Sequence, residues 1–194
     1  LQQLLNCGEI DEVVLSTNDS ASIEVASHFN SKKLKVVERP DNLALSSTSL
    51  VDLVNYVPGI CTHSDILWTH VTSPFLVAED YSDIIKNYYL HIDSGFDSLM
   101  TVKPIRNFIW DKDSCDLINR SNNEKWPRTQ DLKVLYEIDS AVFLTNKDCY
   151  QKYHDRIGVK PFLFELNAIK SFDVDWEEDF KIAEVLYKGI YEQH

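Results

Sequence analysis

Short apolar runs alternate with amphipathic stretches along most of the chain. Val13-Val14-Leu15-Ser16 reads as a buried strand, and the polar Thr17-Asn18-Asp19 behind it as a turn. Ser20 is placed to cap a helix through about Phe29 that turns Ile23 and Ala26 inward. Leu34 to Val37 reads as a second strand, closed by Arg39-Pro40-Asp41-Asn42. Thr48 or Ser49 then opens a helix carrying Leu50, Leu53, Val54 and Val57, with Pro58-Gly59 as its stop. Ile66 to Val71 is the clearest central strand; it ends in Thr72-Ser73-Pro74 and leads to a helix over about Glu79–His91. Ser98 to Val102 predicts another strand. This βα rhythm predicts an α/β fold, a mostly parallel sheet with helices on both faces.

The rhythm breaks after Lys103. Residues 104–133 are polar and weakly periodic, with Asp111-Lys112-Asp113-Ser114 and Ser121-Asn122-Asn123-Glu124, and read as an excursion from the sheet within a single domain over 1–194. Strands are expected again at Val134–Leu144 and Ile169–Val174. A last helix over about Glu178–Tyr191 would turn Phe180, Ala183, Leu186, Tyr187 and Ile190 inward.

Charge narrows the partners. The 194 residues hold 19 Lys+Arg against 31 Asp+Glu, a net −12, which is the wrong sign for non-specific nucleic-acid or anionic-membrane binding. A placed Arg or Lys can still hold an anionic small molecule against that field. No apolar run is long enough to span a bilayer, and the N-terminus has no basic region followed by an apolar one. Cys7, Cys61, Cys115 and Cys149 are scattered without a CxxC, so reduced thiols and a cytoplasmic location are expected. No histidine pair has zinc-site spacing.

In open α/β sheets, ligands bind beyond the carboxyl ends of the strands. The polar turns Ser16–Asp19, Arg39-Pro40 and His70–Pro74 fall there. In Ser171-Phe172-Asp173-Val174-Asp175, an extended chain would project Asp173 and Asp175 to one face. Two converging carboxylates repel unless a cation lies between them, and magnesium takes such hard oxygen donors together with substrate phosphates. A solvated acidic loop fits the same residues, since Glu177, Glu178 and Asp179 follow. Arg128, in Trp126-Pro127-Arg128-Thr129-Gln130-Asp131, could fork onto a carboxylate or phosphate, or form a surface ion pair. His70 could be a ligand contact or a hydrogen-bonded core histidine.

Taken in order, Val13 to Asp19, Arg39 to Ala44, Thr72-Ser73-Pro74, Arg128-Thr129-Gln130, and Asp173-Val174-Asp175 with Asp179-Phe180 and Ala183-Glu184 resemble the acylneuraminate cytidylyltransferases. The resemblance covers essentially the whole chain. It implies a Rossmann-like, three-layer αβα nucleotidyltransferase fold and a homodimer built partly through the 104–133 excursion. It also implies transfer of CMP from CTP to an acidic nonulosonic sugar, with Mg2+ and release of pyrophosphate. By the same resemblance, Asp173 and Asp175 fall on metal-binding aspartates and Arg39 on an arginine near the nucleotide. Arg128 and Gln130 fall in a motif facing the acidic sugar, and Thr72 and Ser73 in the strand-end motif beside the substrate.

Three departures stand out. His70 replaces the family's usual Gln, and Asp139-Ser140-Ala141 replaces Asn-Gly-Ala; both positions lie near the sugar in the family. Val13 to Asp19 already matches the family's second strand, so its phosphate-binding loop has no counterpart in residues 1–194. The expectation is an N-terminally truncated cytidylyltransferase without transfer activity as it stands. The alternatives are a catalytically dead binding or assembly partner of the same fold, or a glycosyltransferase using Asp173-Val174-Asp175 as its metal motif.

Overall fold

The computed structural model describes residues 1–45 and 47–191. Its elements, in chain order, are α1 (Gln2–Asn6), β1 (Val13–Thr17), α2 (Ser20–Ser27), β2 (Leu34–Glu38), α3 (Leu50–Ile60), β3 (Asp65–Thr69), α4 (Ala78–Ile92) and β4 (Ser98–Ile105). There follow β5 (Trp110–Asp111), β6 (Asp116–Leu117), β7 (Leu135–Asn146), α5 (Lys147–Tyr153), β8 (Pro161–Glu165) and α6 (Glu177–Tyr191).

The strands form a four-stranded sheet in the order β3-β7-β4-β8, a separate parallel pair β1-β2 and the small β5-β6 hairpin. β7 is antiparallel to both β3 and β4, and β8 is parallel to β4, so β3, β4 and β8 share one direction and only β7 is reversed. Side chains alternate across the sheet. Leu67, Val142 and Leu144 meet Tyr81, Ile84 and Tyr88 of α4 and Cys7 behind α1. Ile66 and Trp68 meet Val54 of α3 and Tyr150 of α5. Helices therefore cover both faces, the three-layer arrangement that the βα rhythm predicts.

Several local expectations are corrected. Residues 169–174 are not a strand: Asn167 Oδ1 accepts from the amides of Ile169 and Lys170, both at 3.0 Å, and the chain closes into a turn instead of a ladder. The strand in that part of the chain is β8, which starts on Pro161, a position where the missing N–H costs least. α3 runs through Pro58 to Ile60, because a proline in the last turn removes only one helical bond. α2 is capped by Asp19, whose carboxylate accepts from Ser22 N at 2.8 Å, and not by Ser20. In α6 only Ala183 is buried; Phe180, Tyr187 and Ile190 are exposed, and Tyr187 packs on Tyr191 at the surface. Within 104–133, β4 continues to Ile105, and the remainder is the β5-β6 hairpin and a 3-10 turn at Thr129–Asp131.

Candidate active site

β3 ends at Thr69, and the chain then runs through His70, Thr72 and Ser73. Val174 N donates to the Thr72 carbonyl at 2.9 Å, and the Phe172 ring packs edge-on against Phe75 at 6.1 Å. These contacts seat Asp173 and Asp175 beside the β3 exit, although neither lies on a strand. Asp173 is half-buried and Asp175 exposed. Ser73 is buried, and its hydroxyl has no partner among the described residues.

His70 is held from two sides. Its ring stacks on Trp68 at 6.1 Å, and Arg156 Nη1 lies 2.8 Å from Nε2. A guanidinium can only donate, so Nε2 must accept and the imidazole is neutral with its proton on Nδ1. Burial and the Arg156 charge push the His70 pKa below the ordinary histidine value, against the opposing pull of Asp173 and Asp175.

Asp139 sits where β7 bulges against β4: the register jumps between Met100, opposite Phe143, and Val102, opposite Ile138. Its Oδ1 accepts from Thr101 Oγ1 at 2.5 Å and from Ala141 N at 3.0 Å. Its Oδ2 is buried with no partner, and burial raises the carboxyl pKa. The next residue, Ser140, is left-handed at φ 59°.

Arg39 donates to the Ser16 carbonyl at the end of β1. It lines a cavity of about 640 Å³ between β1 and β3. Val13, Leu15, Ile66, Trp68 and His70 also face this cavity. Among the described residues, β1 pairs only with β2 and β3 only with β7, so two strand edges without partners there border one space.

Arg128 and Gln130 lie apart from this cluster. Arg128 is exposed and forks onto Asp131 with bonds of 2.8 and 3.2 Å; Gln130 is exposed beside Thr129.

Asp173 and Asp175 form no ion pair among the described residues. Nor do these residues include a group of three His, Cys, Asp or Glu side chains able to hold a metal by themselves. The pair therefore fits a hard cation that takes its remaining ligands from a substrate, and does not fit an enclosed protein cage.

The site also contains a residue that sequence reasoning missed. Arg156 lies in the bend between α5 and β8, where no hydrophobic period marks it. Its guanidinium carbon is 3.7 Å from the Phe143 ring centroid and 5.2 Å from that of Trp68. Its one sequence cue was the positive charge.

Helices thus cover both faces of the sheet, and two carboxylates sit beside the exit of β3. Residues 1–194 match the model of the family described as Cytidylyltransferase, and the chain belongs to that family. It is 27% identical to a pseudaminic acid cytidylyltransferase of Campylobacter jejuni over 209 aligned positions, covering 99% of this chain and 84% of the relative. It is 29% identical to post-translational flagellin modification protein B of Campylobacter coli over 112 residues, 55% of this chain and 47% of that protein. It is 23% identical to an N-acylneuraminate cytidylyltransferase of Streptococcus agalactiae over 146 residues; that match covers 75% of this chain but 35% of the relative. Two solved structures share the fold. The 4-diphosphocytidyl-2C-methyl-D-erythritol synthase of Anaerococcus prevotii has a TM-score of 0.67 at 14% identity, with 96% of this chain and 83% of that one covered. A CMP:2-keto-3-deoxy-manno-octonic acid synthetase complexed with CTP has a TM-score of 0.62 at 12% identity, with 97% and 85% covered.

Proposed function

We propose that residues 1–194 carry the metal-binding and sugar-binding half of a site that transfers CMP from CTP to an acidic 2-keto sugar of the nonulosonic type. The observation that carries this reading is the Val174–Thr72 backbone bond, which brings the acidic pair to the strand exit beside His70. The sugar's anomeric hydroxyl attacks the α-phosphorus in line, and pyrophosphate leaves. Magnesium held by Asp173 and Asp175 would supply charge neutralisation on the phosphates. Arg39 stands on the nucleotide side. With Nε2 of His70 occupied by Arg156, His70 offers its Nδ1–H as a donor to a sugar oxygen and does not act as a base through Nε2. Asp139, Thr72 and Ser73 stand on the sugar side in this reading; Asp139 Oδ2 and Ser73 Oγ are buried without a partner among the described residues. Arg128 must leave Asp131 before it can serve the sugar.

The triphosphate cradle lies outside residues 1–194 in this reading. Among the described residues no loop combines glycines with lysine near Arg39, and the space between β1 and β3 has the borders a further strand would need. The same observation favours a second reading, a catalytically inert partner of the same fold. We also infer a homodimer through the excursion, supported by the exposed, stacked Trp110 and Trp126.

Pyrophosphate release from CTP with a panel of nonulosonic acids tests the proposal. It is run on residues 1–194 and on the same chain preceded by a relative's phosphate-binding loop. Acid-dependent release by the second chain alone supports transfer; no release by either supports the inert partner.

A further inference from the structure

We propose that Arg156 is the carboxylate-binding cation of this site, a positioning residue that fixes the acid group of the substrate; the inference rests on the acidic-sugar reading above. The guanidinium lies over Phe143, is flanked by Trp68, and spends one N–H on His70 Nε2. No carboxylate lies within ion-pair distance of it among the described residues, although the chain carries 31 acidic side chains. Asp155 beside it accepts from the Arg156 backbone amide instead. A half-buried arginine without a counter-ion retains most of its fork of donors for an incoming planar anion.

The fork is also pre-set. On one side of Arg156, His154 caps α5 in a left-handed conformation, and its Nδ1 lies 3.0 Å from Asn55 Oδ1 on α3. On the other side, the Asp97 carboxylate accepts from Val159 N at 2.7 Å and from Lys160 N at 3.0 Å, and Ser98 Oγ accepts from Gly158 N at 2.9 Å. A Cβ at position 158 would lie 2.4 Å from that carboxylate, so glycine is what lets the clamp close. A loop tied at both ends loses little freedom when its arginine takes up a ligand. The stacked Phe143 and Trp68 faces also orient the guanidinium plane.

His70 touches Arg156 and also lies within electrostatic reach of Asp173 and Asp175, so the cation offered to a carboxylate and the proposed metal ligands neighbour one ring. Tyr150, whose charge interaction with Arg156 is favourable, is buried with its hydroxyl unpartnered among the described residues.

The test is an NMR titration of the chain with N-acetylneuraminate, its neutral methyl ester and pyruvate, following the Arg156 Nε–H signal and the His70 ring nitrogens. The expected result is carboxylate binding that shifts both signals and exceeds ester binding roughly 10- to 100-fold. In Arg156→Gln that preference is lost while the thermal midpoint stays near wild type. Arg156→Lys, which keeps the charge without the fork, recovers only part of it. If Arg156→Gln fails to fold, Arg156→Lys carries the test through the same preference. Unchanged preference in a folded variant, or no carboxylate binding by the wild type, overturns the inference. Arg156-dependent carboxylate binding with no CMP transfer even by the chain preceded by a relative's phosphate-binding loop would instead uphold this site and sink the transferase reading.

Discussion

The amide of Val174 donates to the carbonyl of Thr72 across 2.9 Å, joining two segments about a hundred residues apart in sequence. One is the exit of β3, which the sequence pattern marks as a central strand but which lies at the edge of the four-stranded sheet, and the other is flanked by the two aspartates proposed as metal ligands. The bond is backbone to backbone, and Asp173 Oδ1 accepts from the same Val174 amide at 3.1 Å.

If those carboxylates hold magnesium, Asp175→Asn lowers the CMP-transfer rate of the loop-bearing chain by about two orders of magnitude or more. Its thermal midpoint stays close to wild type, because one of two like charges has been removed from an exposed turn. Unimpaired turnover in a steady-state assay would remove Asp175 from the metal.

The second carboxyl oxygen of Asp139 is buried without a partner among the described residues. Its folded pKa is raised by burial, so the ionised form costs stability at neutral pH. The native state regains that stability as pH falls through the raised pKa towards the unfolded value of about 4. Asp139→Asn keeps an oxygen for Thr101 and Ala141, so its midpoint lies above wild type at pH 7. The gap narrows in acid. A gap that is constant with pH in thermal melts would show that the charge is not the cause.

Ser140 occupies the left-handed region at φ 59°, where a Cβ costs about 1–2 kcal/mol. Ser140→Gly relieves that strain and raises the thermal midpoint by roughly 2–4 °C. A lower midpoint in calorimetry would mean that the serine side chain contributes more than the strain removes.

The stacked rings of Trp110 and Trp126, 6.3 Å apart and 52% and 62% exposed, form an aromatic patch on the excursion. If the excursion forms the proposed homodimer interface, Trp126→Asp sediments as a monomer while the far-UV circular dichroism spectrum is kept. A wild-type chain that sediments as a monomer at high micromolar concentration would place the interface elsewhere or abolish it.

The hydrophobic rhythm made β1 to β4 and their helices legible, because each buries a periodic face against a neighbour. β8 was hidden: Phe162-Leu163-Phe164 is a short run behind a proline, and its pairing with β4 depends on a distant partner. The turn at 167–171 looked like a strand because the Asn167 side chain, and no ladder, satisfies its amides. α6 looked amphipathic, yet of its apolar side chains only Ala183 is buried and most of the others are exposed. In the site, strand-end logic found the β3 exit, but it put the acidic pair at the end of a strand where the chain forms a turn. It did not find Arg156, since its importance comes from what it lacks, a counter-ion, and from rings contributed by β3 and β7.

Magnesium–CTP titrated calorimetrically into residues 1–194 tests most directly whether these residues hold the metal and sugar half of the site without the triphosphate cradle. Two or three missing charge-assisted phosphate contacts remove roughly 3–9 kcal/mol of binding. The predicted dissociation constant is therefore no tighter than about 1 mM, with no CMP transfer by this chain alone. Micromolar binding by residues 1–194 would contradict the account and place a phosphate site within them.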